Sequence, residues 1–387
     1  MTSATDAPTR FRWDRLTYAS ALGYCVLVSG LSVGVVLGEL RAQFHINGVI
    51  AALHGSTFGI GLLASGVWGV GVVDRIGRRT ALMVAAGGVI AGVTLFCLGP
   101  AWPITLLGTA IAGLAGALLV MVMPGLISDH HGEHRATAFA AVNGAPGMAG
   151  LTFSLVIGAV LAAGGSWRVP YLIITGLIAA ALAVVALPVE VPPSERHGAF
   201  SLRAFRERDV LVPWLHIVNA VLTEFTIGVW CVTYLKEVGH ASPGVAAVFA
   251  SVFGVMMFVV RLLLPPLLAR WANSLIPVSF LVLAAGAVVM CLAPGLPLKV
   301  LGLTVVGIGG GPLYPLTVDR FYERAGHRLD SVSLGAYCAL ASGAAVSIGP
   351  LVMGALSDVV DLRWAILVVP ALAVVGAVTQ RTRATHR

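Results

Sequence analysis

The chain has 387 residues, a net charge of +7, 58% hydrophobic residues and only 11% charged ones, against roughly 25% charged in soluble domains. So few charges cannot cover a water-facing surface, which excludes an ordinary soluble globular fold. The mean hydropathy of +0.94 places most of the surface against lipid.

Arg10, Arg12 and Arg15 precede a first apolar run, 17–38. The run is too long for a signal-peptide core and more runs follow at once, so it reads as an uncleaved first helix. Gly30, Gly34 and Gly38 form a small-residue stripe on it that permits close helix packing. Further runs lie at 48–72, 81–99, 103–127, 136–163 and 168–188. The long polar stretch 189–209 follows, with Pro192, Pro193, Glu195, Arg196, Arg203, Arg206 and Arg208, and reads as a surface-lying linker helix. Six more runs lie at 210–235, 243–268, 276–293, 298–318, 331–356 and 363–380. Each is long enough to cross a hydrocarbon core of roughly 30 Å at about 1.5 Å per residue. Their glycines and prolines are tolerated in membrane helices, and nothing alternates as a membrane barrel strand would.

Gly48-Val49-Ile50-Ala51-Ala52 recurs as Gly244-Val245-Ala246-Ala247-Val248. The same offset carries Gly158 onto Gly354 and lays Trp167-Arg168 over Arg363-Trp364. The predicted fold class is therefore an all-α integral membrane protein of 12 transmembrane helices in two pseudo-symmetric six-helix bundles. The expected division is 1–188, linker 189–209, and 210–387. Two related bundles around a midplane cavity are a transporter layout.

With the N-terminus inside, Arg41, Arg168, Lys236, Lys299 and Arg363 fall outside and Arg261 falls within a run. All the other lysines and arginines fall inside. That asymmetry predicts both termini in the cytoplasm. It assigns the basic charge to membrane insertion and lipid contact, not to nucleic acid. The five cysteines all sit in apolar runs without metal spacing and read as buried free thiols.

The loop after the second run reads Val70-Gly71-Val72-Val73-Asp74-Arg75-Ile76-Gly77-Arg78-Arg79. Gly77 permits a tight turn between two helices, and the arginines stand at headgroup level. Asp74 can cap the preceding helix and pair with an arginine or with a helix N-terminus. The segment resembles the G-x-x-x-D-R-x-G-R-[KR] signature of the major facilitator superfamily, with Val70 in place of the leading glycine. The resemblance implies that Asp74, Arg75, Gly77, Arg78 and Arg79 form a gating latch between the two bundles. The equivalent second loop, 265–273, keeps Arg270 and no acid, so its latch is expected to be weaker. Thr109 stands where proton-coupled members often carry an arginine. Asn143-Gly144-Ala145-Pro146-Gly147 departs from the signature of drug antiporters.

Ionisable groups deep in a membrane span are costly and default to a functional role. Glu224, near the middle of the seventh run, and Arg261, in the eighth, are the coupling candidates. They can form a buried pair, or Glu224 can carry a proton. His216, Asn219, Thr223, Thr226, Trp230 and Tyr234 recur at helical spacing on one face of the seventh run and are expected to line a cavity. The resemblance implies cavity walls from the first, fourth, seventh and tenth spans. It adds Tyr18, Cys25, Ser29 and Ser32 from the first, and Thr304, Tyr314 and Thr317 from the tenth. His54 reads as a satisfied polar contact. Asp129-His130-His131-x-Glu133-His134 reads as an ordinary charged loop rather than a metal site. Gly30-Leu31-Ser32-Val33-Gly34 lacks the strand a hydrolase elbow needs, and Gly307–Gly311 lacks a phosphate-loop lysine and reads as a pliable stretch.

The expected function is secondary active transport of a small organic solute by alternating access, proton-coupled, with a lean to efflux drawn from the apolar fourth run. The alternative is a proton-linked importer or facilitator of a small organic anion, with Arg261 as counter-ion. A non-transporting membrane sensor is the remote alternative. No enzymatic activity, cofactor or metal is expected. The expected partners are the solute, membrane lipids and protons, with no nucleic acid. A monomer in a bacterial inner membrane is expected.

Overall fold

A computed structural model describes residues 11–46, 48–187, 189, 191, 202–271 and 274–380. α1 (Arg15–Leu31) starts at Asp14, whose carboxylate accepts the Thr17 backbone N–H at 2.8 Å, satisfying a donor the first helical turn leaves unpaired. The chain tightens into a 3-10 segment, Ser32–Val36, and continues as α2 (Leu37–Phe44). α3 (Gly48–Ile76) turns into α4 (Arg78–Leu98) through Gly77, at φ +79°. A side chain is disfavoured at that angle, so glycine is required there. α5 (Trp102–His131), α6 (Arg135–Ala162) and α7 (Arg168–Ala186) follow.

The second set comprises α8 (Arg208–Glu237), α9 (Pro243–Trp271), α10 (Leu275–Leu292), α11 (Leu296–Gly310), α12 (Leu313–Ala325), α13 (Ser331–Val359), α14 (Leu362–Ala365) and α15 (Val368–Thr379). Among the described residues, twelve segments are long and apolar enough to cross a membrane. The apolar runs locate all of them, with two physical departures. α5 runs on to His131, and the tenth span is broken at Gly311–Pro312 and extends to Ala325. Charged side chains end an apolar run where the helix itself does not end.

Twelve crossings bring the described chain back to the end where it starts. Arg75, Arg78, Arg79, Arg135, Arg208, Arg324 and Arg328 gather there, and we term it the basic end. Most of the stretch read as a linker helix, residues 190 and 192–201, lies outside the described residues. Residues 202–206 form a 3-10 turn. Phe205 anchors that turn edge-on against Trp214 and Tyr337, with ring centroids 4.9 and 5.0 Å away.

α1 packs on α4, α5, α6 and α7, and α4 on α5. In the second set α10 packs on α11 and α15, and α9 on α11. The two sets meet along α3 with α13, α5 with α13, and α6 with α9. In lipid the apolar term does not favour helix contact over lipid contact, so close backbone approach does the work. At the basic end a Cβ on Gly125 would stand 2.8 Å from the Ser331 carbonyl oxygen, and one on Gly335 would collide with the carbonyl of Met121. Only hydrogen fits at these two places.

Candidate functional site

The central cluster begins with a helix break. Pro315 has no N–H, so the Gly311 carbonyl one turn earlier has no helical donor. Arg261 of α9 supplies one: its Nε donates to Gly311 O at 3.0 Å. Its Nη1 donates across to Asn143 O of α6 at 3.3 Å, and its Nη2 to Glu224 Oε1 of α8 at 3.4 Å. One buried guanidinium thus ties α8, α9 and the end of α11 to α6 of the other bundle. A planar fork with fixed donors suits this better than an ammonium would.

Tyr314 stands within electrostatic reach of Glu224 and Arg261 and shares a hydrogen bond with Ser342 of α13. Tyr24 of α1 is buried close to Tyr314, and its hydroxyl has no hydrogen-bond partner among the described residues. An unpaired buried hydroxyl carries a desolvation cost that a polar ligand can relieve. Both bundles therefore contribute to a cluster holding one carboxyl, one guanidinium and two phenols. Such a set can hold a proton and offer several donors to an oxygen-rich solute.

The basic end holds a second polar constellation. Asp330 caps α13 by accepting the N–H groups of Val332 and Ser333 at 3.0 and 2.8 Å, which sets Ser331 at the helix start. Arg78 donates through Nη1 to Asp129 Oδ2 and through Nη2 to Ser331 Oγ, and Ser331 Oγ donates to Asp129 Oδ2. All three bonds are 2.9 Å long. The ring is charge-assisted, and its Arg78 side chain is 1% exposed. Beside it Arg135 of α6 pairs with Asp319 of α12 at 2.7 Å. Arg79 donates to Leu187 O at 2.9 Å, while Asp74 and Arg75 are exposed at the rim. Arg78 is a signature residue whose bonds cross between the bundles. The two exposed pairs from Arg328, to Glu207 at 3.5 Å and Asp209 at 3.9 Å, contribute little.

Asp129, His130 and His131 correct one expectation: they are not in a loop. α5 carries them as its last turn, and that is what sets Asp129 opposite Arg78. The sequence signal was an acid just beyond an apolar run, close to the motif loop in space but not in sequence. Asp319 and its partner Arg135 were not singled out. The helical extension that carries Asp319 inward is not visible in hydropathy.

Members of the polar face of α8 bond to neighbouring helices of their own bundle. Asn219 Nδ2 donates to Leu372 O of α15 at 3.0 Å, and the Tyr234 hydroxyl to Met290 O of α10 at 2.8 Å. Thr223 bonds its own helix at Asn219 O, 3.0 Å away, and His216 and Thr226 are buried. Asn219 and Tyr234 thus join helices within one bundle, and Trp230 belongs to the same stripe. Ser29 and Ser32 donate to Val26 O and Val28 O at 2.6 and 2.8 Å, and Thr317 to Leu313 O at 2.7 Å, so all three are satisfied within their own helices. Tyr314 is the cavity candidate that joins the Arg261 cluster. His54 has Nε2 3.0 Å from Thr105 Oγ1 and Nδ1 2.9 Å from Ile50 O, a satisfied polar contact. A separate apolar crevice of about 240 Å³ lies among α1, α4, α5 and α7, with Arg79 at its rim and Leu82, Met123 and Leu182 on its walls.

The family profile described as Major Facilitator Superfamily matches residues 19–337. A curated relative, the uncharacterized transporter y4wD of Sinorhizobium fredii, is 27% identical over 154 residues, which is 38% of this chain and 39% of that protein. The crystal structure of the E. coli fucose:proton symporter FucP superposes with a TM-score of 0.74 at 17% identity, covering 96% of this chain and 100% of FucP. The proton:xylose symporter XylE superposes with a TM-score of 0.71 at 15% identity, covering 94% of each chain. At such identities the two structures establish the fold.

Proposed function

The chain belongs to the Major Facilitator Superfamily, and from that premise we propose that it is a proton-coupled transporter of a small organic anion, with Glu224 as proton carrier and Arg261 as anchor for the solute. The observation that carries this reading is the 3.4 Å Glu224–Arg261 pair in the buried centre of the bundle. While Glu224 is ionised, the pair is neutral and Arg261 is occupied. A proton on Glu224 removes that partner and leaves a guanidinium charge in mid-membrane, where an unpaired charge is expensive. A carboxylate solute restores neutrality, so proton and anion favour each other's binding. FucP is a fucose:proton symporter and XylE a proton:xylose symporter, which supports the coupling ion and leaves the solute class to the site itself.

The anion reading takes precedence over efflux. The lean to export draws on sparse charges and on the apolar character of α5, and that helix packs against α1, α3, α4 and α13; its apolar surface is packing surface. The Arg78–Asp129–Ser331 ring and the Arg135–Asp319 pair hold the basic end closed, as gate contacts would. We place this end and both termini in the cytoplasm of a bacterial cell, with functional units 1–188 and 210–387 joined by 189–209, and with the monomer as transport unit.

Purified protein in proteoliposomes, given labelled small carboxylates and neutral sugars under an imposed pH gradient, tests the proposal. Carboxylate uptake should rise with external acid and collapse when the gradient is dissipated. Uptake indifferent to the gradient, or confined to neutral solutes, would overturn it.

A further inference from the structure

From the approach of Asp14, His130 and His131 we infer a binding site for a divalent transition-metal cation of the zinc type, formed where the start of α1 meets the end of α5. One donor atom from each of the three side chains lies within 4.8 Å of the others. Asp14 uses both oxygens: Oδ2 is 2.5 Å from His130 Nε2, and Oδ1 accepts from the Thr17 hydroxyl at 2.7 Å. Thr17 Oγ1 in turn stands 3.0 Å from His131 Nε2. Two imidazoles and a carboxylate are a familiar donor set for zinc, with a fourth position left for water.

Two further features favour a cation here. His130 and His131 form the last turn of α5, and the carboxyl end of a helix attracts positive charge. Thr17 braces Asp14 in the way outer hydrogen bonds orient metal ligands. A cation between these groups would stand in place of the Asp14–His130 contact. It joins the segment before α1 to the turn of α5 that carries Asp129, one residue from His130. Phe11 already packs on the His131 ring at 5.4 Å and walls one side.

The test uses the full chain with any affinity tag removed. Calorimetric titration with Zn²⁺ alone should show one ion per chain. Co²⁺ should give the intense visible bands of a four-coordinate site, with two imidazoles in its X-ray absorption spectrum. His130→Gln with His131→Gln should weaken Zn²⁺ binding about tenfold or more and leave thermal unfolding in metal-free buffer unchanged, while His134→Gln should bind as wild type. Absence of stoichiometric binding, a wild-type Co²⁺ spectrum without histidine ligands, or equal affinity in the double variant would overturn the assignment.

Discussion

Arg261 and Pro315 are coupled through a backbone atom: the proline withholds a donor from the Gly311 carbonyl, and the arginine restores it at 3.0 Å. The coupling explains why the break between α11 and α12 and the buried cation occur together. Arg261→Ala leaves that carbonyl and Glu224 without a partner. Removing one member of a buried pair costs about 3–5 kcal/mol, so a clear fall in the unfolding midpoint in detergent is expected. Pairing Arg261→Ala with Glu224→Gln should recover part of the loss, because no bare charge remains. A double variant no more stable than Arg261→Ala would show that the pair is energetically irrelevant.

Glu224→Gln keeps size and polarity and removes the titrating group. Gradient-driven accumulation should be abolished in proteoliposomes, while exchange of solute for solute, which needs no net proton movement, should continue. Full accumulation by this variant would remove Glu224 from coupling.

Arg78→Gln opens the ring that Arg78 forms with Asp129 and Ser331. Cys338 is fully buried on α13, two turns beyond Ser331, and reports whether the basic end has opened. Its alkylation by a permeant maleimide, read by site-resolved mass spectrometry, should rise several-fold in Arg78→Gln and also in Ser331→Ala. Unchanged labelling in both would show that the ring does not hold the helices together.

Gly335→Ala tests the same closure without touching a charge. The added methyl would strike the Met121 carbonyl, so α5 and α13 could no longer meet. Raised Cys338 labelling and slowed transport are expected together. A fully active Gly335→Ala protein with protected Cys338 would contradict the proposed closed state.

The membrane spans were legible because hydropathy is a property of each segment alone. The Arg78–Asp129–Ser331 ring was half legible: the motif named Arg78, but Asp129 lay hidden beyond an apolar run that ended before its helix did. The α8 face shows a limit of another kind. Helical spacing put Asn219 and Tyr234 on one side, and no spacing rule says whether that side meets water or the carbonyls of Leu372 and Met290. The Gly-rich stretch 307–311 reads in sequence as pliability, whereas Pro315 withholds the donor and Arg261 supplies it.

The longer of the two contacts Arg261 makes to backbone oxygens, 3.3 Å to Asn143 O, is the one that spans the bundles. Any rocking motion must break it and strip one donor of its acceptor in the middle of the bilayer. An incoming solute oxygen could take the vacated place, whereas an empty carrier would have nothing to offer. Slippage would then be suppressed by the same atom that selects the cargo, and protons would not leak through without a passenger.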